Sequence, residues 1–185
     1  MDVLDYLPDS SPKQVLAVGT FDGIHRGHQA ILQGALDRAR DEDLPASVVT
    51  FEPDPVTVLK GTPPTERRLL TFEDKRAILN HLGFDRMYAL PFDEDFASTS
   101  AQSFVESILV ERLNAASVHV GYNFRFGRNR EGDTEFLRKG LNNHGIDAVI
   151  QDPIVAGGDP VSSTRIRSLL KDGSPAEARR LLGRP

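Results

Sequence analysis

Five short apolar runs rich in β-branched residues, at 15–18, 47–51, 86–90, 117–120 and 148–150, alternate with stretches of helical spacing at 28–39, 72–82, 101–113 and 134–142. Strand followed by helix, repeated with short links, leaves few folds open. Each helix-length connection carries the chain back to the start of the sheet, so the strands lie parallel, with right-handed crossovers and helices covering both faces. The sequence therefore predicts an α/β fold built on a five-stranded parallel sheet. In such sheets ligands bind beyond the carboxyl ends of the strands.

The third helical stretch, "AQSFVESILVERL", is preceded by Ser100, which can cap its free amides. Its buried stripe is formed by Phe104, Ile108 and, at a looser spacing, Leu113. From Ser162 onward the pattern changes to two short helices, with Gly173 and Gly183 as stop signals, so a C-terminal helical segment is expected. The stretch "KGTPPTERR" at 60–68 reads as a surface loop.

A chain of 185 residues is of single-domain size, so one domain over 1–185 is expected. Its 22 Lys and Arg against 27 Asp and Glu give a net charge of −5, which argues against nucleic acid or an anionic membrane as partner. There are no cysteines, which removes disulfides, thiolate metal ligands and cysteine nucleophiles and fits a reducing compartment, so a cytoplasmic location is expected. The acidic N-terminus lacks the basic start of a secretory signal, and no apolar run approaches the length of a membrane span.

The segment "VLAVGTFDGIHRGHQAIL", at 15–32, joins the first strand to the first helix through three glycines and two histidines. Glycines let a ligand approach the backbone, and the helix start offers free N–H groups and a partial positive charge. This suits a phosphate. The spacing is neither that of a P-loop nor G-x-G-x-x-G, and no carboxylate stands between the histidines as in H-E-x-x-H. His25 and His28 can donate to phosphate oxygens, and one of them, protonated, would offset charge growing on a pentacoordinate phosphorus. No nearby Cys or further His completes a metal set, so Mg²⁺ is expected only as a companion of substrate phosphates.

"GTFDGIHRGH" resembles the H-x-G-H signature of the nucleotidylyltransferase superfamily, in the form found in the FAD synthetase (FMN adenylyltransferase) module of prokaryotic bifunctional riboflavin kinase/FAD synthetases. The resemblance continues in order through "VVTFEPDP", "LLTFEDKRAIL", "LPFDEDFASTSAQSFVESILVERL", "VGYNFRFGRNREGD", "VSSTRIRSLL" and "ARRLLGRP". It implies a Rossmann-like fold and transfer of AMP from ATP to the phosphate of FMN, giving FAD and pyrophosphate with Mg²⁺ and no covalent intermediate.

By motif match it implies that His25 and His28 contact the ATP phosphates, with Gly19, Thr20 and Phe21 supplying backbone around the nucleotide. On the same match Ser163, Thr164 and Arg167 look like a second phosphate clamp, which implies that Arg167 acts in catalysis beside the histidines. Phe51, Asn123 and Phe126 are the implied flavin contacts, although both phenylalanines also fit an ordinary core.

Two departures stand out. The family usually reads P-H-P where this sequence has Pro53-Asp54-Pro55, and the sequence stops where the family's kinase domain would follow. The chain is therefore expected to use FMN rather than to make it from riboflavin, and Asp54→His is expected to raise kcat/KM. Two alternatives share the phosphate motifs: transfer to another phosphorylated acceptor, and a flavin- or ATP-binding protein impaired in turnover.

Overall fold

The computed structural model describes residues 1–61 and 68–184. Most of the loop at 60–68 thus lies outside the described residues. Its main feature is a six-stranded sheet of β1 (Asp2–Leu4), β2 (Gln14–Val18), β3 (Ala46–Glu52), β4 (Arg86–Pro91), β5 (Ala115–Gly121) and β6 (Asp147–Gln151). The strand order is β1-β4-β3-β2-β5-β6, and every neighbouring pair is parallel.

The five expected strands are present, and a sixth corrects the count. β1 is three residues long, two of them exposed, and it docks on the edge of the sheet through backbone pairing with β4. So short a piece carries no apolar run for a sequence reading to detect.

Because side chains alternate across a strand, β2 faces two cores at once. Leu16 and Val18 point to one, with Val49, Tyr88 and Val118. Val15 and Ala17 point to the other, with Val48, Met87 and the buried face of α1 (Arg26–Glu42). The second core is closed by α3 (Phe72–Leu82) through Leu79. The first is closed by α6 (Thr134–Asn142) and by α5 (Ala101–Ser103), which continues as a π-helix over Phe104–Arg112.

That π-helix explains the loose spacing of Phe104, Ile108 and Leu113. Its i→i+5 hydrogen bonds widen the turn, so residues four and five apart share one face. All three are buried, as are Val105 and Leu109 between them.

Short elements complete the chain: α2 (Pro55–Lys60), α4 (Glu94–Ala97), and an antiparallel pair β7 (Val155–Ala156) and β8 (Asp159–Pro160) that no sequence signal announced. The expected C-terminal helices are α7 (Ser163–Lys171) and α8 (Pro175–Leu182), which share a small core of Val161, Ile166, Ala178 and Leu181. Among the described residues no helix is long and apolar enough to cross a membrane.

Gly127, after β5, shows how tightly one loop is held. Its φ is +73°, and a Cβ there would lie 2.6 Å from the backbone nitrogen of Ala101. Backbone cannot yield as a flexible side chain can. Gly127→Ala is expected to lower stability by about 3 kcal/mol, combining left-handed strain with overpacking, which a shift of the urea midpoint at unchanged slope would register.

Candidate active site

The strand order reverses between β2 and β5, because β3 and β4 extend the sheet to one side and β6 to the other. A crevice at the carboxyl ends of those two strands is the preferred ligand position in an open parallel sheet. The loop after β2 carries Gly19 to His25, and the turn after β5 carries Asn123.

Gly19 continues the β2 pairing, its N–H donating to Val49 O at 3.0 Å. Phe21 then adopts φ +50°, Gly23 +85° and Ile24 +38°. Left-handed backbone at two non-glycine residues costs on the order of 1–3 kcal/mol each and persists only where the surroundings enforce it. Here Phe21 and Ile24 are buried completely, or nearly so. The Phe21 ring lies under Gly19, where a Cβ would come within 3.2 Å of it. It also meets the His28 ring edge-on at 5.4 Å.

His25 is the N-cap of α1: its Nδ1 accepts the backbone N–H of His28 at 3.3 Å. An accepting Nδ1 leaves the proton of the neutral ring on Nε2. The two imidazoles stack, 3.7 Å apart and 17° from parallel. Gly27 permits this, since a Cβ there would lie 3.2 Å from the His25 ring.

Burial lowers the His25 pKa from 6.5 to about 4, the attraction of Asp22 opposing and Arg167 assisting. Burial also pushes His28 well below its usual value, reinforced by His25 and Lys75. Burial thus favours the neutral form of both rings. They remain N–H donors, and His28 Nδ1 is enclosed with no hydrogen-bond partner among the described residues.

On β5, His119 is lowered to about 4, again chiefly by burial. An unfolded chain regains the ordinary histidine affinity, so between pH 6.5 and 4 it binds more protons than the folded one. Stability should be fully present above about pH 6.5 and fall as the pH drops toward 4, by up to about 1.4 kcal/mol per pH unit for each such histidine. A thermal midpoint unchanged from pH 7 to pH 4.5 would contradict this.

Sequence reasoning missed Asp22, the residue that joins the site's two halves. Its Oδ1 accepts the N–H groups of Leu69 and Leu70 at 2.9 and 3.3 Å. Its Oδ2 pairs with Arg167 Nη2 at 2.9 Å, and its backbone carbonyl accepts Ser163 Oγ at 2.8 Å. Asp22 thus fastens the start of α7 to the β2–α1 loop. Ser162 caps α7 by accepting the Arg165 N–H, and Thr164 is exposed on the first turn.

Lys75 was also missed. It reaches from α3 with Nζ donating to Thr20 O at 2.7 Å and Thr50 Oγ1 at 3.3 Å, and it is only 8% exposed. Lys75 lines a cleft with Asp22, Phe51 and Asp54. Asp54 is the N-cap of α2, accepting the Val56 N–H at 2.9 Å.

Gly19, Thr20, Phe21, His25, His28, Ser163 and Arg167 thus converge at the crevice. The implied flavin residues come from other elements: Phe51 lines the cleft with Asp22 and Lys75, and it shares one buried core with Phe126. Phe51, near the end of β3, packs on Phe92 and Phe96 at 5.9 and 5.6 Å. Phe126 packs with Phe104, Phe124 and Phe136. Both are buried, whereas Asn123 is exposed.

A sequence model of the family described as FAD synthetase matches residues 7–165. The chain is 39% identical over 171 residues to a bifunctional riboflavin kinase/FMN adenylyltransferase of Escherichia coli strain K12, covering 92% of this chain and 54% of that protein. It is 37% identical over 174 residues to a putative bifunctional riboflavin kinase/FMN adenylyltransferase of Geobacillus thermodenitrificans, covering 94% of this chain and 92% of that one. The crystal structure of a Streptococcus pneumoniae protein described as a macrolide-efflux protein superposes with a TM-score of 0.87 at 30% identity, over 100% of this chain and 61% of that one. The chain spans about half the length of the Escherichia coli relative. With most of its residues matched by the family and the fold and switch-point loop in place, the chain belongs to the FAD synthetase family.

Proposed function

We propose that the chain is an FMN adenylyltransferase: a phosphate oxygen of FMN attacks the α-phosphorus of ATP, the bond to the bridging oxygen breaks, and pyrophosphate leaves with that bond's electrons. The observation that carries this reading is the Asp22 junction, which brings a histidine pair at one helix start together with Ser163 and Arg167 at another. Two donor sets joined through one loop suit a polyphosphate that is cut between them.

In this reading neutral His25 and His28 donate to phosphate oxygens at the start of α1, while Ser163, Thr164 and Arg167 hold the departing pyrophosphate. Gly19, Thr20 and Phe21 supply backbone to the nucleotide. Asn123, Phe51 and Phe126 receive the flavin. No acid or base is required of the protein, because the attacking and leaving groups are already anionic; positioning and electrostatics do the work.

Magnesium would enter with ATP. Among the described residues no three His, Cys, Asp or Glu side chains are grouped to hold a metal ion. A cation bound chiefly by substrate phosphates and water would neutralise charge on the phosphates.

An acceptor panel with ATP labelled at the α-phosphate tests the reading: label should pass to FMN and not to phosphopantetheine, nicotinamide mononucleotide or glycerol phosphate. Transfer to one of those instead would reassign the acceptor, and transfer to none would identify a binding protein.

The structure also refines the expectation for Asp54. Asparagine there keeps a short side-chain acceptor for the Val56 N–H and removes only the charge, so it separates the charge from the cap of α2. Across a cleft that water can enter, a carboxylate repels a nearby phosphate by under about 1 kcal/mol. Asp54→Asn should therefore raise kcat/KM by about threefold, and a lower value would show that the carboxylate assists.

A further inference from the structure

The Thr20 carbonyl is held by two donors. Lys75 Nζ lies 2.7 Å from it and Thr50 Oγ1 3.2 Å, and Lys75 Nζ is also 3.3 Å from Thr50 Oγ1. Lys75 belongs to α3 and Thr50 to β3, so both grip the loop from one side of β2.

The Thr20–Phe21 peptide is trans. In a trans peptide the C=O of one residue and the N–H of the next point in opposite directions. A carbonyl fixed toward β3 and α3 therefore turns the Phe21 N–H away from both. Among the described residues that N–H has no hydrogen-bond acceptor, although Phe21 is only 1% exposed. A backbone donor in such a place is nearly always paired. Left-handed backbone at the residue that carries it is also the conformation from which anion-binding concavities are built.

We infer that Lys75 is a positioning residue: together with Thr50 it fixes the Thr20 carbonyl and so aims the Phe21 amide at a phosphate oxygen of a bound polyphosphate. This inference rests on the phosphate-binding reading of the β2–α1 loop given above. Lys75 need not touch the ligand. Its own charge is faced by Asp22, Glu52 and Asp54, which counter the cost of burial, and by Arg68, which adds to it.

Selective ¹⁵N-phenylalanine labelling of the whole chain, titrated with pyrophosphate, tests this. In the wild type the Phe21 resonance should move and saturate with the binding curve. Lys75→Met should weaken pyrophosphate binding about tenfold and abolish the Phe21 response, the loss expected of one charge-supported hydrogen bond. Thr50→Val removes one donor to the same carbonyl and no charge, and should weaken binding about threefold.

Wild-type affinity in folded Lys75→Met, or pyrophosphate binding that leaves Phe21 unmoved, would overturn the inference. If Lys75→Met does not fold, Thr50→Val carries the test, and wild-type affinity there overturns it equally. A chain that binds pyrophosphate through Phe21 but makes no FAD from FMN and ATP would refute the proposed acceptor and support this inference. Absence of pyrophosphate binding would refute both.

Discussion

Replacing Asp22 with alanine should lower kcat/KM for FAD formation by about 10² to 10³ and destabilise the chain. Its carboxylate accepts from Leu69, Leu70 and Arg167, and the side chains of Asp22 and Arg167 are 10% and 19% exposed. Breaking a largely buried ion pair costs about 3–5 kcal/mol where burial is complete. These groups are not wholly buried, so the lower end applies. The consequence for turnover is that α7 loses one of its ties to the loop, and Arg167 loses its ion pair with that loop. Asp22→Asn, which keeps an acceptor for the amides, should lose less of both. Steady-state kinetics with thermal melts of the two variants checks this, and an Asp22→Ala protein with wild-type kcat/KM would show that the two donor sets are not coupled through it.

The second large effect is expected at His28. An N–H donor aimed at charge that develops in the transition state is worth on the order of 3 kcal/mol, so His28→Ala should lower kcat by about a hundredfold. The KM for ATP should change much less, because α1 and its other donors remain. Loss of the ring also removes the stacking partner of His25 and the edge contact to Phe21, so the two remaining rings should be checked for order by NMR. An unchanged kcat would remove the catalytic role assigned to His28. A KM that rose a hundredfold at constant kcat would make it a binding residue alone.

The parts of this molecule that sequence revealed are those whose causes are local. Apolar runs of three to five residues marked the five longer strands, and the Gly19–Gly27 stretch marked a turn into a helix start, because φ preference and free amides depend on immediate neighbours. The looser step from Ile108 to Leu113 carried the π-helix in plain view, though an α-helix was read from it. What stayed hidden depended on partners far along the chain. Asp22 meets Leu69, Ser163 and Arg167 at separations of 47, 141 and 145 residues, and Lys75 meets Thr20 across 55. Nothing within either segment specifies those meetings. The charge state of the histidines was hidden for a related reason. Burial sets it, and burial of His25 and His28 comes from packing of the Phe21 ring, α3 and α7 around them.

The most direct test is to incubate the purified chain with FMN, ATP and Mg²⁺ and to quantify FAD and pyrophosphate together. Attack of the FMN phosphate on the α-phosphorus predicts both products in equal amounts, with no adenylylated protein at any time. Pyrophosphate released without FAD, or label retained covalently on the chain, would contradict direct transfer between the two substrates.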